Sequence, residues 1–305
     1  MKILSEKTTG FNKVIILGAG AVGSYVGSQL SRLNDVLLVG RKSHVEAINS
    51  RGLIVEGANQ ELYRLKAATQ INEIPDGSLI IITTKAYSLA DTVSEIKEFL
   101  RPESMILILQ NGLGNEDIVQ GIIESNIEIV RGITSIGVEF MEPGRINIKQ
   151  LGEIVLPDNK AGSKLKHLFD DSGIPVRLTS DIRLEIWHKA AFNCVINPLT
   201  ALFRVPNNAI ASPSLDLLIR RIVMEIIQVA EMEGVTLSRD MAAEIRKRVL
   251  AYTNYSSMYQ DIIKGKRTEI DFLNGRVTML GRVHGIPTPL NDALYDMIKF
   301  MEEKR

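Results

Sequence analysis

The stretch from Lys13 to Gly23, KVIILGAGAVG, constrains what this chain can fold into more than any other. Lys13–Leu17 is apolar on both faces, which predicts a buried strand of a parallel sheet covered on two sides. Gly18-Ala19-Gly20-Ala21-Val22-Gly23 comes at once, and helical spacing runs from Val22 to Leu33. A G-x-G-x-x-G between strand and helix has a physical reason for each glycine. The first permits a tight turn, the second lets backbone approach a pyrophosphate, and the third lets helix and strand pack closely. The helix start adds free N–H groups and the positive end of its dipole. The pattern predicts a dinucleotide site; a merely glycine-rich structural turn is the alternative.

Further along the chain the alternation repeats. Val36–Val39, Leu79–Thr83, Met105–Leu109 and Glu128–Arg131 read as strands, and Leu89–Leu100 and Asn115–Glu124 as helices, which predicts a doubly wound α/β sheet. Ile133–Phe140 and Arg145–Lys149 flank Glu142-Pro143-Gly144 and read as an antiparallel addition. After about residue 180 the strand signals stop. Asp181 can cap a helix running through Trp187 and Lys189 to Asn197, where Pro198 breaks or kinks it. Leu215–Glu233, Arg239–Tyr252 and Thr268–Val283 are amphipathic, and Gly234 stands where a C-cap belongs. The expected organisation is two domains: residues 1–180 α/β and dinucleotide-binding, residues 181–305 all-helical. Residues 1–11 read as a frayed lead-in.

Composition narrows the function classes. In 305 residues, 36 Lys and Arg balance 36 Asp and Glu, so bulk electrostatics does not grip nucleic acid. One cysteine makes no intramolecular disulfide and no Cys-based structural zinc site, which fits a reducing cytoplasm. No apolar run approaches the ~20 residues that span a bilayer, and the N-terminus has no run of signal-peptide length. The expected partners are small molecules, with no nucleic acid, no membrane and no metal.

Several polar residues sit where patterning alone does not call for them. The second strand ends in Gly40-Arg41-Lys42 with no acid to accept ribose hydroxyls. A guanidinium suits a 2′-phosphate, so Arg41 points to NADP, with Lys42 as a second cation; a solvated surface pair is the bland reading. Thr83-Thr84-Lys85 and Gln110-Asn111-Gly112 close two strands, at the carboxyl ends where open α/β sheets bind ligands. Ordinary turn chemistry is their alternative.

Lys189, Asn193 and Asn197 recur every four residues in the segment WHKAAFNCVINPLTAL and share one helix face. The rest of that helix is apolar, so it should be buried, and a buried Lys with two Asn in line fits a ligand cavity. A half-exposed solvated stripe is the competing reading. Cys194 reads as a packing residue. Asn254 to Met258, Asp261 and Glu269 form a last cluster, with Glu269 expected to begin a helix, where acids often only complement the dipole. His284 reads as helix-end chemistry.

These residues carry a family likeness. GAGAVG at 18–23, TTKA at 83–86, QNGLG at 110–114, WHKAAFNCVINPLTAL at 187–202, and NYSSMYQDI with GKRTEIDFLNG across 254–275 resemble the ketopantoate reductases (2-dehydropantoate 2-reductases), a 6-phosphogluconate-dehydrogenase-like family. The resemblance implies a Rossmann-type domain followed by an all-α domain, and NADPH-dependent reduction of 2-dehydropantoate to (R)-pantoate on the way to pantothenate and coenzyme A. Lys189 matches the family's proton donor. Asn111, Asn193, Asn197, Asn207 and Ser257 match substrate contacts, with Asn254 beside them. Lys85, Asn111 and Glu269 match positions that contact the cofactor or order the active site. Gly18, Ala19, Gly20, Ala21, Val22, Gly23 and Arg41 match the pyrophosphate and 2′-phosphate sites, and Gly137 a backbone contact near the nicotinamide. The departures are the N-terminal segment of about eleven residues and Tyr259 within SSMYQD.

The mechanism this implies is hydride transfer to the C2 ketone, with Lys189 delivering a proton to the developing alkoxide. The asparagines orient the substrate oxygens, and Glu269 holds Lys189 or the reacting hydroxyl. Arg41, Lys42, Lys85 and Lys189 are the cations expected around one cleft, facing NADPH and a 2-oxo acid. A homodimer is compatible with this reading. A reductase of another 2-oxo acid is the nearer alternative, and a non-catalytic NADP sensor the farther.

Overall fold

The computed structural model describes residues 10–123 and 126–304. Residues 1–9 of the expected lead-in, and Glu124, lie outside the described residues. Phe11 does not fray: it is buried in the core, with the Lys164 ammonium 3.8 Å from its ring centroid.

Chain contacts divide the molecule into two compact units, one of residues 10–110 and 115–182, the other of residues 111–114 and 183–304. The first contains β1 (Val14–Leu17), α1 (Ala21–Leu30), β2 (Val36–Val39), α2 (Lys42–Arg51), β3 (Leu53–Glu56), β4 (Gln60–Tyr63), β5 (Lys66–Ala68), β6 (Leu79–Ile82), α3 (Leu89–Ile96), β7 (Met105–Ile108), α4 (Asn115–Ile122) and β8 (Glu128–Arg131). It continues through β9 (Ile133–Thr134), β10 (Gly137–Glu142), β11 (Arg145–Gln150), β12 (Ile154–Pro157), α5 (Lys160–Asp171) and β13 (Val176–Thr179). The second carries α6 (Ile182–Phe203), α7 (Asp216–Met232), α8 (Met241–Val249), α9 (Ser257–Ile263), α10 (Asn274–His284) and α11 (Pro289–Glu303).

The main sheet is parallel throughout, in the order β5-β2-β1-β6-β7-β8. This is the doubly wound arrangement, in which the chain reverses direction of growth beside β1. Its two faces explain the unbroken apolar strands. Val14 and Ile16 join one core with Leu38, Leu79, Ile81 and Leu107, while Ile15 and Leu17 join another with Ile80, Ile82, Ile106 and Ile108. Burial of each such side chain stabilises by roughly 1.5–3 kcal/mol. Register places Leu17 beside Val39 and Ile82, Ile82 beside Ile108, and Ile108 beside Arg131. The carboxyl ends of five strands therefore line up, and the loops after them emerge from one edge.

The antiparallel addition is β10 with β11, but it belongs to a larger sheet in the order β10-β11-β3-β4. β11 runs parallel to β3, and β3 antiparallel to β4. Sequence patterning misses this edge because Gln60-Glu61-Leu62-Tyr63 buries only Tyr63 and carries no apolar alternation. A third sheet, β13-β12-β9, and α5 also go beyond the sequence expectations.

In the second unit α7 ends near Gly234, whose φ of 75° is the left-handed conformation of a helix C-terminal glycine. Two expectations need correction. α6 does not stop at Asn197: it runs through Pro198 to Phe203. Glu269 does not begin an α-helix: it precedes a single 3₁₀ turn, Ile270–Phe272, and α10 starts only at Asn274. The dipole explanation for Glu269 loses its helix.

Candidate active site

In the first unit the glycine turn is shaped by close approach. Gly18 has φ +102°, and a Cβ there would run into the backbone of Thr84. A Cβ on Gly23 would strike the Gly18 carbonyl and the Thr83 hydroxyl. Gly20, the residue capping α1, has only Gly18 O within reach of a Cβ, at 3.9 Å, and is exposed. Two glycines are thus required by the protein itself, while the middle one leaves backbone open to a ligand. α1 has no acid in its first turn and no side-chain cap, so its amino end keeps the N–H groups that bind an anion. These features fit a pyrophosphate.

Arg41 lies just past β2, as N-cap residue of α2, and its carbonyl takes the amides of His44 and Val45. Its guanidinium is exposed and makes no hydrogen bond or ion pair with any described residue. Lys42, the expected second cation, is 83% exposed and lies 3.9 Å from Glu46. Lys85 is half-buried before a 3₁₀ turn, and its carbonyl accepts from Ser88. Gly137 opens β10, opposite Gln150, where a Cβ would sit 3.1 Å from that residue's own.

Two buried polar groups that sequence reasoning does not single out organise this edge. The Gln110 side-chain amide donates to the Thr84 carbonyl at 2.7 Å and lies 2.9 Å from its hydroxyl. Arg131, 7% exposed at the end of β8, donates to the carbonyls of Ile108, Gly132 and Gln110, and its Nε lies 3.4 Å from Glu116. Burial presses its pKa down and Glu116 opposes that. The sequence signal is an arginine directly after the apolar pair Ile129-Val130 at the end of a strand.

His44 ties three elements together. Its Nδ1 accepts the Gly144 N–H at 2.9 Å, so the ring N–H is on Nε2, facing Ser24 Oγ at 2.9 Å. The ring lies against Phe140, centroids 4.9 Å apart. Burial lowers its pKa to about 4, which keeps it neutral.

In the second unit α6 presents Lys189, Asn193 and Asn197 in succession. Lys189 and Asn193 are half-buried and Asn197 is 7% exposed, so the stripe descends from the surface into the protein. Cys194 is wholly buried and its thiol is pushed up by desolvation, as a packing residue requires.

Several hydrogen bonds gather the other candidates around α6. Thr200, one turn beyond Asn197, has its hydroxyl 2.7 Å from that of Ser256. Ser256 caps α9 by accepting the Tyr259 amide, which fixes Ser257 at that helix's first position. The Asn207 amide donates to the Asn254 carbonyl at 3.0 Å, so these two asparagines are neighbours. Asn207 is 6% exposed, and its Oδ1 is buried with no hydrogen-bond partner among the described residues, as a ligand contact would leave it. Asn254 and Ser257 are exposed. Asn111 joins this unit through its loop: Leu113 donates to the Phe272 carbonyl at 2.9 Å, three residues from buried Glu269. A cation, several neutral amides, a hydroxyl and a carboxylate are thus held on tied segments, suited to binding a small oxygen-rich anion and moving a proton.

Comparison with known proteins identifies a family. Residues 14–161 match the family model described as ketopantoate reductase PanE/ApbA, and residues 181–302 match its C-terminal counterpart. A 2-dehydropantoate 2-reductase of Pyrococcus horikoshii is 37% identical over 299 residues, covering 95% of this chain and 97% of that protein. The crystal structure of a PanE/ApbA family ketopantoate reductase from Ralstonia eutropha JMP134 superposes with a TM-score of 0.89 at 31% identity, over 96% of this chain and 99% of that one. A D-mandelate dehydrogenase, solved as a ternary structure with NADH and anilino(oxo)acetate, superposes with a TM-score of 0.88 at 29% identity, with the same coverage.

Proposed function

The chain belongs to the ketopantoate reductase family of oxidoreductases, and on that premise we propose that it reduces 2-dehydropantoate to (R)-pantoate with NADPH, a step toward pantothenate and coenzyme A. The observation that carries this reading is the polar stripe of α6: Lys189, Asn193 and Asn197 share one helix face, and Ala190, Ala191, Cys194, Val195 and Ile196 between them are apolar and buried.

When bound, NADPH supplies the hydride. The open backbone at Gly20 and the amino end of α1 hold the pyrophosphate, and the exposed Arg41 takes the 2′-phosphate. Lys85 and Gly137 contact the cofactor as well, the first by charge and the second by backbone. Lys189 directs its ammonium at the C2 oxygen, stabilises the negative charge that develops there, and gives up a proton to it. Asn193 and Asn197 orient substrate oxygens from the same helix face. Asn111, Asn207, Asn254 and Ser257 supply neutral groups for the carboxylate and hydroxyl. Glu269, buried and close in sequence to the turn that holds the Asn111 loop, orders Lys189 or the reacting hydroxyl. Purified chain should oxidise NADPH when 2-dehydropantoate is added, and absence of turnover would remove the proposal.

A second reading, a reductase of a bulkier 2-oxo acid, is favoured by one feature. Tyr255 and Tyr259 stack with centroids 4.4 Å apart on either side of Ser257, and the D-mandelate dehydrogenase shares the fold over nearly the whole chain. The same assay with an aryl 2-oxo acid separates the two.

A further inference from the structure

Pro198 lies inside α6 and has no N–H, so the carbonyl four residues back, that of Cys194, cannot take its usual helical partner. Cys194 is completely buried, so bulk solvent does not reach that carbonyl. The donor comes from elsewhere in the sequence: Asn274 Nδ2 reaches the Cys194 carbonyl at 3.0 Å. Asn274 is itself completely buried at the start of α10, and it does not stand alone. The same Nδ2 lies 2.9 Å from Asn291 Oδ1, and Asn291 Nδ2 donates to Glu225 Oε2 at 2.8 Å. The Glu225 carboxylate also accepts the backbone amides of Leu290 and Asn291 at 3.0 Å each, closing the amino end of α11. A buried chain of polar groups thus runs from α7 through α11 and α10 to one carbonyl of α6.

That carbonyl falls between Asn193 and Asn197. Lys189 and Asn193 stand before the break in the helical ladder, and Asn197 after it. A proline removes the bond that would hold the two parts in fixed relation, and Asn274 supplies the replacement at that point. Asn274 also ends the short segment that begins with Glu269. We propose that Asn274, steered by Asn291 and Glu225, is a positioning residue that sets the angle of α6 at Pro198 and thereby the spacing of Lys189 and Asn193 relative to Asn197. This rests on the reading of those three residues as the groups that hold and protonate the keto acid. Asn274 touches no substrate; it acts through the Cys194 carbonyl.

The chain has a single cysteine, so growth with cysteine labelled at its carbonyl carbon places one ¹³C carbonyl resonance at the position in question. Asn274→Ala should move that resonance upfield in the ligand-free protein, as loss of a hydrogen bond requires. In Pro198→Ala/Asn274→Ala, the alanine that replaces Pro198 supplies a helical N–H to Cys194, and the resonance should return. Kinetics should follow the same logic. Asn274→Ala lowers kcat/KM for 2-dehydropantoate by about 10-fold or more, with NADPH affinity within about 2-fold of the parent. Adding Pro198→Ala recovers most of the loss, a coupling that distant, independent sites do not show. Should Asn274→Ala not accumulate as folded protein, Asn274→Ser, which keeps a donor on a shorter arm, gives the same comparison.

An unmoved resonance, normal turnover, or two losses that simply add overturns the proposal. If the parent chain does not reduce 2-dehydropantoate, the functional reading has failed instead. The kinetics then use the 2-oxo acid it does reduce, and the carbonyl resonance, which needs no substrate, still tests the role of Asn274.

Discussion

Arg131 donates from Nη2 to the carbonyl of Gln110 at 2.7 Å, so the last residue of β8 holds the residue just before Asn111. Gln110 in turn holds Thr84, the residue just before Lys85. Two candidate ligand contacts are therefore fixed by a pair of buried side chains that need touch no ligand themselves. Replacement of Arg131 by Met takes its donors from the carbonyls of Gly132, Gln110 and Ile108, of which Ile108 keeps the Gly132 amide, and leaves Glu116 without its cation. The expected cost is roughly 3 kcal/mol or more, seen as a drop in denaturation midpoint at constant pH. An unchanged midpoint would mean that this network adds nothing to the fold.

Lys189→Ala should lower kcat by about 100-fold or more, the scale on which a positioned acid contributes. NADPH binding, read from nicotinamide fluorescence, should persist. Near-normal turnover would take Lys189 out of the proton-donor role.

Arg41→Ala should weaken NADPH by about 10-fold or more, because a charge-assisted contact to the 2′-phosphate is lost. NADH, which lacks that phosphate, should change by less than about 2-fold. Equal loss for both cofactors would show that Arg41 serves something other than the 2′-phosphate.

His44 links stability to pH. Its native pKa of about 4 lies below the ordinary value of 6.5, so the unfolded chain takes up a proton first as pH falls. The stability that neutral His44 contributes is complete above about pH 6.5 and is lost progressively down to about pH 4. The slope from one such group is at most about 1.4 kcal/mol per pH unit. Urea denaturation at several pH values should show a shallower decline in His44→Gln than in the parent. Parallel declines would mean that burial does not hold His44 neutral.

The sequence is legible where local backbone makes demands. Gly18 and Gly23 announce themselves because a side chain at either would collide with the strand ends. The strands β1, β2, β6 and β7 announce themselves because parallel strands covered on both faces are apolar at nearly every position. β4 is invisible because only Tyr63 faces inward, and its pairing to β3 rather than its composition makes it a strand. Pro198 reads as a break or a kink, and the sequence does not separate the two, because the donor that reaches the Cys194 carbonyl is Asn274, 80 residues away. Glu269 looks like a helix start because the acid stands ahead of an apolar spacing, whereas α10 waits until Asn274. Lys189, Asn193 and Asn197 are legible as an anomaly within an apolar helix; the hydrogen bonds that draw Asn207, Asn254 and Ser257 toward the same helix are not.

The most direct measurement is the rate of NADPH oxidation by the purified chain with 2-dehydropantoate, beside a set of other 2-oxo acids and with NADH in parallel. The expected result is the highest kcat/KM for 2-dehydropantoate with NADPH, abolished in Lys189→Ala. A higher kcat/KM for an aryl 2-oxo acid, a preference for NADH, or no turnover at all would contradict the assignment of this site to NADPH-dependent ketopantoate reduction.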